Sequence, residues 1–185
     1  MKLAVVIPVR NEEKCIRGVV DKLTLKLKSE HIAYQMVLVN DHSTDSTPQV
    51  LNSMAQQDPD VTVVSTVSPF GFGKAIRTGF DAVKADAVVI FMGDGSDHPE
   101  DVVNYFRKLE QGYDCVFGSR FIKGSSVCGY PWVKLILNRM GNLLIQVLFL
   151  IRYNDVSNAF KAYRIEVIKA VQPLVSQYFN ITVEI

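Results

Sequence analysis

The sequence predicts an α/β fold, in which one mostly parallel sheet carries helices on both faces. Short apolar runs without polar alternation are typical of strands that are buried on both faces. Between these runs, apolar residues recur at helical spacing. The segments that follow the strands are rich in Asp, Asn and Gly, and ligands of parallel sheets bind at that edge. The length of 185 residues predicts a single domain over residues 1–185.

Composition excludes several classes of protein. The net charge is +1, so nothing in the overall charge indicates a nucleic-acid partner. Cys15, Cys115 and Cys128 are widely spaced and form no CxxC pair, which argues against a disulfide framework and a structural zinc site. A reducing, cytoplasmic setting fits best. The chain shows no signal peptide, and no apolar run approaches the length of a membrane span.

Strands and helices are expected to alternate along the chain. The expected strands are residues 3–9, 36–39, 61–64, 87–92 and 115–118. The expected helices begin after Asn11 as an N-cap, begin at Thr47, cover 70–84, begin at Pro99, cover 132–151, and begin near Arg164. A Gly- and Ser-rich loop is expected at 123–129. Residues 178–185 have strand character and end without a turn or cap, which predicts a domain truncated at its C-terminus.

Four polar motifs follow predicted strands. They read PVRNE at 8–12, NDHSTDST at 40–47, GDGSDHPED at 93–101 and GSRF at 118–121. This ordered set resembles the family 2 glycosyltransferases, and most closely their dolichol- or polyprenyl-phosphate sugar transferase branch. The resemblance covers nearly the whole chain. It implies a Rossmann-like GT-A fold and an inverting transfer of a sugar from a nucleotide-diphosphate sugar to an acceptor.

The first two motifs are the predicted nucleotide site. Pro8, Arg10 and Glu12 match the turn that contacts the nucleotide in the family. Asn40 and Asp41 match the second motif, whose Asp accepts hydrogen bonds from the base. The purely structural alternatives are helix capping for the first motif and an Asx turn or a helix cap for the second.

The third motif is the predicted metal site. A sugar nucleotide leaves as a diphosphate, and Mg²⁺ or Mn²⁺ held by one or two carboxylates stabilises that charge. We expect Asp94 and Asp97 to act as metal ligands and catalytic residues, and Asp94 to contact the nucleotide as well. When the motif is aligned on its His-Pro pair, the two Asp positions of the branch fall on Gly93 and Gly95. The alternatives are therefore a rebuilt metal site, a loss of metal dependence, or a solvated acidic loop.

The acceptor side is predicted from two arginines. Arg120 matches the Arg of the branch that faces the acceptor phosphate, a group that suits a planar guanidinium. Arg139 falls on a second basic position of the branch. A surface salt bridge and the polar face of a helix are the respective alternatives. The segment NAFKAYR at 158–164 resembles the SGFRAYR segment of the same branch.

Two further segments leave their interpretation open. Lys74 lies in a Gly-x-Gly-x-Ala turn that could place a nucleotide phosphate at a helix N-terminus, although the start of a helix explains the glycines equally well. Residues 143–151 are apolar on nearly every side and fit either a membrane surface or a buried core helix. The first reading places the protein at the cytoplasmic face of a membrane.

The chemistry depends on the acceptor. A polyprenyl (lipid) phosphate is already an anion and needs no general base, whereas a sugar hydroxyl needs a carboxylate such as Asp97 or Glu184. A nucleotidyltransferase is disfavoured because PVRNE lacks the glycines expected after its first strand. A non-catalytic module that binds a nucleotide sugar stays open because the acidic motif is altered.

Overall fold

The computed structural model describes residues 1–122 and 132–185, so the loop expected at 123–129 lies outside the described residues. In this part of the chain six strands form one sheet in the order β3-β2-β1-β4-β6-β5. Their bounds are β1 Leu3–Val9, β2 Tyr34–Asn40, β3 Val61–Ser65, β4 Ala87–Ile90, β5 Cys115–Phe117 and β6 Lys161–Arg164. β1 is parallel to β2 and β4, and β2 is parallel to β3. Only β6 runs antiparallel to its neighbours β4 and β5.

The helices cover both faces of the sheet. Their bounds in the described residues are α1 Ile16–Ser29, α2 Thr47–Gln57, α3 Phe72–Asp81, α4 Pro99–Glu110, α5 Trp132–Phe149, α6 Ile165–Ala170 and α7 Ile181–Glu184. Alternate residues of β1 divide between two apolar cores. Val5 and Ile7 pack with α1, α2 and α4, whereas Ala4 and Val6 pack with α3, α6 and α7. The predicted α/β class, a mostly parallel sheet covered on both faces, is confirmed.

Two local predictions are wrong. Asn11 does not cap a helix: α1 begins at Ile16, and Asn11 adopts a φ of 58°. Its Oδ1 instead accepts a hydrogen bond from the Thr44 amide at 2.8 Å, which ties two loops together. Residues 178–185 do not form a strand. The β-branched residues that suggested one belong to α7, where Ile181 is fully buried among the residues beside α3.

The helix α5 departs from the packing of the other long helices. Asn142 is its one buried residue in the described structure. Apolar side chains such as Leu137, Leu144 and Phe149 are each about 60% exposed or more. The interpretation of 143–151 as a buried core helix is therefore wrong within residues 1–122 and 132–185. Among those residues, no helix combines the length and apolarity needed to cross a bilayer.

Candidate nucleotide and acceptor sites

A pocket of about 360 Å³ opens where β1, β2 and β4 end. Five residues predicted from separate motifs line it, namely Pro8, Arg10, Glu12, Asp41 and Asp94. They meet because parallel strands deliver their following loops to one edge of the sheet. The structure thus unites the first three motifs around a single cavity.

Asp41 is the most buried polar residue of the pocket. Its Oδ1 accepts hydrogen bonds from the Thr66 hydroxyl at 2.8 Å and the Gly71 amide at 3.3 Å. Both bonds use Oδ1. Within residues 1–122 and 132–185, no hydrogen bond to Oδ2 is found, so this oxygen can accept from a ligand. A carboxylate held in this way can accept from an N–H group of a bound molecule.

Asn40 does not line the pocket. Its Oδ1 accepts from the Ser43 amide at 3.1 Å, a local bond within its own loop that is one residue longer than an Asx turn. Asp45, later in the same loop, braces the start of α2 by accepting from the Thr47 amide, two residues on, at 2.9 Å. The loop after β2 therefore presents Asp41 to the pocket and uses its other side chains to fix its own shape.

Glu12 is held at the pocket wall by two contacts. Its amide donates to the Thr47 hydroxyl at 2.9 Å, and its Oε2 accepts from the Cys15 thiol at 2.8 Å. Burial raises the pKa of Cys15 to about 11, and the hydrogen bond and charge of Glu12 add to the effect. The protonated thiol is therefore a stable donor to Glu12.

The two aspartates of the acidic loop face different cavities. Asp94 is exposed and lines the pocket, where its Oδ1 accepts from the Ser96 amide at 2.9 Å. Asp97 lines a neighbouring cavity of about 160 Å³. Its Oδ2 accepts from the Met92 amide at 2.9 Å, and burial raises its pKa to about 7, with Asp94 adding to the rise. Asp97 thus braces the loop that presents Asp94.

The residues present fit a metal that is shared with a substrate. Among the described residues, no group of three or more His, Cys, Asp or Glu side chains converges as a complete metal site. Mg²⁺ is commonly bound by one or two carboxylates together with substrate phosphates and water. Asp94, exposed at the wall of the pocket, offers the carboxylate that such a site requires.

Close packing explains both Gly71, just before α3, and Gly73, in its first turn. A Cβ atom on Gly73 would lie 2.4 Å from the Ser176 carbonyl oxygen, and one on Gly71 would lie 2.7 Å from the Gln177 carbonyl oxygen. The Lys74 amide donates to that same Gln177 oxygen at 3.1 Å. Lys74 itself does not line the pocket. The turn therefore packs against residues 176–178, of which Tyr178 forms part of the pocket wall.

Arg120 forms a bidentate ion pair with Asp155. Its Nε and Nη2 atoms lie 2.9 and 2.6 Å from the two carboxylate oxygens, and its amide donates to Oδ2 at 2.9 Å. Asp155 is completely buried, so this pair is not the surface salt bridge considered from the sequence. The guanidinium groups of Arg120 and Arg139 lie 5.7 and 5.3 Å from the ring centre of Phe121. Both predicted acceptor residues thus share one aromatic ring.

Several site residues were not foreseen. Phe70 and Tyr178 line the pocket, and His42 stacks on Phe70 with ring centres 4.1 Å apart. Asp155 lies beneath Arg120. A polar loop motif can be recognised in the sequence, whereas a single aromatic or acidic residue that reaches the site through tertiary packing cannot.

Comparison with known proteins places these observations in a family. The family model described as Glycosyl transferase family 2 matches residues 4–172. Polyprenol monophosphomannose synthase of Mycolicibacterium smegmatis is 30% identical over 171 residues, which cover 90% of this chain and 63% of that protein. Undecaprenyl-phosphate 4-deoxy-4-formamido-L-arabinose transferase of Yersinia pestis is 28% identical over 172 residues, covering 92% and 51% respectively. The chain therefore spans between half and two thirds of these relatives.

Solved structures agree on the fold. Glucosyl-3-phosphoglycerate synthase from Mycobacterium tuberculosis, in complex with Mn²⁺, uridine diphosphate and phosphoglyceric acid, superimposes with a TM-score of 0.73. The sequence identity is 20%, and the match covers 98% of this chain and 61% of that one. This likeness confirms the predicted GT-A fold. By its sequence and its fold, the chain belongs to glycosyl transferase family 2.

Proposed function

We propose that the chain is the catalytic domain of an inverting glycosyltransferase that moves a sugar from a nucleotide diphosphate to a polyprenyl phosphate. One observation carries the choice of acceptor. Arg139 lies on α5, which is apolar and exposed, and shares the Phe121 ring with Arg120. A lipid phosphate combines an anionic head with an apolar chain, and both find a matching surface here. The names of the two sequence relatives, which include polyprenol and undecaprenyl phosphate, support the same choice.

The pocket takes the nucleotide diphosphate of the donor. Asp41 accepts from the base, Phe70 offers its ring for stacking, and Pro8, Arg10 and Glu12 form the wall on the β1 side. Asn40 contributes through the shape of its loop, and Lys74 through its backbone amide, which donates to Gln177 beside the pocket wall at Tyr178. Because Asp41 and Glu12 are already held by protein hydrogen bonds, the pocket is organised before the donor arrives.

Asp94 is the proposed direct ligand of a divalent metal, and Asp97 is the second candidate. Mg²⁺ or Mn²⁺ bound there would supply charge stabilisation for the departing diphosphate. The Asp97 carboxylate keeps the loop after β4 in shape through its bond to the Met92 amide. Asp94 is therefore presented to the pocket by a loop that has its own internal support.

The acceptor needs orientation and not deprotonation. A phosphate oxygen of the lipid, already anionic near pH 7, attacks the anomeric carbon from the side opposite the leaving group. The new C–O bond forms while the bond to the nucleotide diphosphate breaks, which inverts the configuration. Arg120 and Arg139 hold the attacking phosphate, and their charge also offsets the repulsion between two anionic substrates.

Transfer to a sugar hydroxyl is less well supported because neither Asp97 nor Glu184, the two carboxylates considered as its general base, lines the pocket. Asp97 faces the neighbouring cavity. Both oxygens of Glu184 accept from backbone amides, at 2.7 Å from Val175 and 2.8 Å from Ser176. Neither carboxylate is placed to receive a proton from a hydroxyl beside the donor.

A turnover assay with three acceptors tests the proposal. The protein is incubated with UDP- and GDP-sugars and Mn²⁺, and offered a short polyprenyl phosphate, the matching polyprenol or a free sugar. We expect transfer to the phosphate alone, and its loss on chelation. Transfer to the free sugar, or tight nucleotide binding with no turnover on any acceptor, would refute the proposal.

A further inference from the structure

The position of the Arg120 guanidinium is fixed from below by a buried carboxylate. Asp155 has no exposed surface, whereas 23% of the Arg120 side chain remains exposed. Three donors of Arg120 converge on the Asp155 oxygens at 2.6 to 2.9 Å, one from the backbone and two from the guanidinium. The edge formed by Nε and Nη2 therefore faces the interior, and a phosphate that binds Arg120 meets the guanidinium away from that edge.

Asn142 joins α5 to the same buried point. Its amide nitrogen lies 3.4 Å from Asp155 Oδ1 and donates to the Ser157 hydroxyl at 3.0 Å. Its amide oxygen accepts from the Ser157 backbone at 3.0 Å. We call Arg120, Asn142, Asp155 and Ser157 the Asp155 cluster. Because Asn142 is the one buried residue of α5 in the described structure, this cluster fixes the helix that carries Arg139.

The electrostatics indicate that the pair serves orientation. A carboxylate next to Arg120 weakens the attraction of the guanidinium for any anion. A buried ion pair also carries a large desolvation cost, so it adds little to stability compared with an apolar replacement. A site built for affinity alone would leave out Asp155. What the pair provides is a single orientation of a long side chain that would otherwise sample several rotamers.

We propose that Asp155 is a positioning residue for the acceptor phosphate, acting through Arg120, with Asn142 holding α5 and Arg139 in register with it. The proposal rests on the proposed function, since it takes Arg120 to be an acceptor residue. Asp155 touches no substrate in this scheme. Its effect reaches the reaction through the guanidinium that it holds.

The test is Asp155→Asn, which keeps the shape of the side chain. It removes the negative charge and replaces one acceptor oxygen with a donor NH₂ group. We expect the KM for a short polyprenyl phosphate to rise about tenfold, with the KM of the nucleotide sugar unchanged. Asp21→Asn, the same substitution at an exposed position of α1, is the matched control and should leave the acceptor KM unchanged. An unchanged acceptor KM for Asp155→Asn, or an equal rise in both KM values, would overturn the proposal.

A double-mutant cycle separates positioning from a structural role. If Asp155 acts through Arg120, Asp155→Asn should have almost no further effect on the acceptor KM in an Arg120→Ala background. Additive effects would mean that Asp155 acts independently and would contradict the proposal. If Asp155→Asn does not fold, Arg120→Lys provides the second variant, because lysine keeps the charge but cannot form the bidentate pair. A wild-type acceptor KM for Arg120→Lys would also overturn the proposal.

The same measurements distinguish failure of this inference from failure of the proposed function. If Arg120→Ala leaves the acceptor KM unchanged, Arg120 is not an acceptor residue and the proposed acceptor site is wrong. If Arg120→Ala raises the acceptor KM while Asp155→Asn and Arg120→Lys do not, the acceptor site stands and only the positioning role is lost.

Discussion

The proposed donor half and the proposed acceptor half of the molecule are built in opposite ways. In the donor half, the loops after β1 and β2 bond to each other, as Asn11 does to Thr44 and Glu12 to Thr47. In the acceptor half, one polar cluster fixes α5, and the rest of that helix is exposed and apolar. The walls of the proposed donor pocket are therefore braced by hydrogen bonds within the protein. Among the described residues, the proposed acceptor surface is held by the polar cluster around Arg120, and beside it lies an extended exposed apolar area.

The contrast matches the two substrates of the proposed reaction. A nucleotide diphosphate is a compact polar ligand, and a rigid pocket with preset hydrogen-bond partners binds it at low entropic cost. A lipid acceptor stays in its membrane and presents only its head group. The protein must therefore approach that surface and hold one phosphate firmly, which requires a rigid anchor and an apolar face beside it.

The largest expected effect tests the donor half. Asp94→Asn removes the carboxylate that faces the pocket and should reduce Mn²⁺-dependent transfer on the order of 100-fold, because the leaving group loses its charge stabilisation. Asp97→Asn should also reduce transfer by loosening the loop. Turnover at saturating acceptor is the measurement, and Asp101→Asn in α4 is the control. Full metal-dependent activity in both loop variants would show that the metal lies elsewhere.

A second effect tests the acceptor half. Arg120→Ala should raise the acceptor KM about 10- to 100-fold, the range for loss of charge-assisted hydrogen bonds. Nucleotide binding, measured by calorimetry, should be unchanged. Arg107→Ala removes a surface arginine paired with Glu110 and serves as the control. If Arg120→Ala weakened donor binding and acceptor binding equally, Arg120 would not be specific to the acceptor.

A third effect concerns the wall of the donor pocket. Gly73→Ala would place a methyl group 2.4 Å from a backbone oxygen of the 176–178 segment, which must then move. We expect a loss of about 1–3 kcal/mol in the free energy of unfolding, together with weaker nucleotide binding. Gly18→Ala in α1 meets nothing within 4 Å and should stabilise the protein by about 0.5–1 kcal/mol. Chemical denaturation measures the free energy of unfolding of both variants. Equal values would contradict the close packing of Gly73 against the 176–178 segment.

The smallest expected effect concerns α5. Leu144→Glu should weaken association with neutral lipid vesicles by roughly threefold to tenfold, which corresponds to withdrawing about one or two CH₂ groups from an apolar phase. Leu25→Glu is a matched control, because Leu25 is 72% exposed on α1 in the other half of the molecule. Vesicle co-sedimentation is the measurement. Similar vesicle binding by both variants would show that α5 does not contact the membrane.

The sequence was informative where local chemistry decides the structure. Uninterrupted apolar runs located the strands of the parallel sheet, and their ends located Asp41 and Asp94. Prediction failed where tertiary contacts override local preference. Asn11 has the chemistry of an N-cap, but its side chain bonds to the next loop. Residues 178–185 have β-branched composition, yet packing against α3 makes a helix of their end.

The acceptor site was predictable only in part. Arg120 and Arg139 were predicted as acceptor residues from their motif positions, and that role stays a prediction; the structure brings both to one ring. Asp155 gave no signal, because a single aspartate between a helix and a strand has no periodicity or spacing. The same holds for Phe70, whose place at the pocket depends on the turn before α3. Such residues become visible only when the chain has folded around them.

The thiol of Cys15 has a practical consequence for chemical probes of the donor pocket. Cysteine-directed reagents and covalent inhibitors react with the thiolate, and a pKa of about 11 leaves almost none of it at neutral pH. Cys15 would therefore resist alkylation even though its partner Glu12 lines the pocket. Burial also raises the pKa of Cys115, so its advantage as an attachment point is its exposure and its place at the far edge of the sheet. A reporter placed there would leave the nucleotide site chemically untouched.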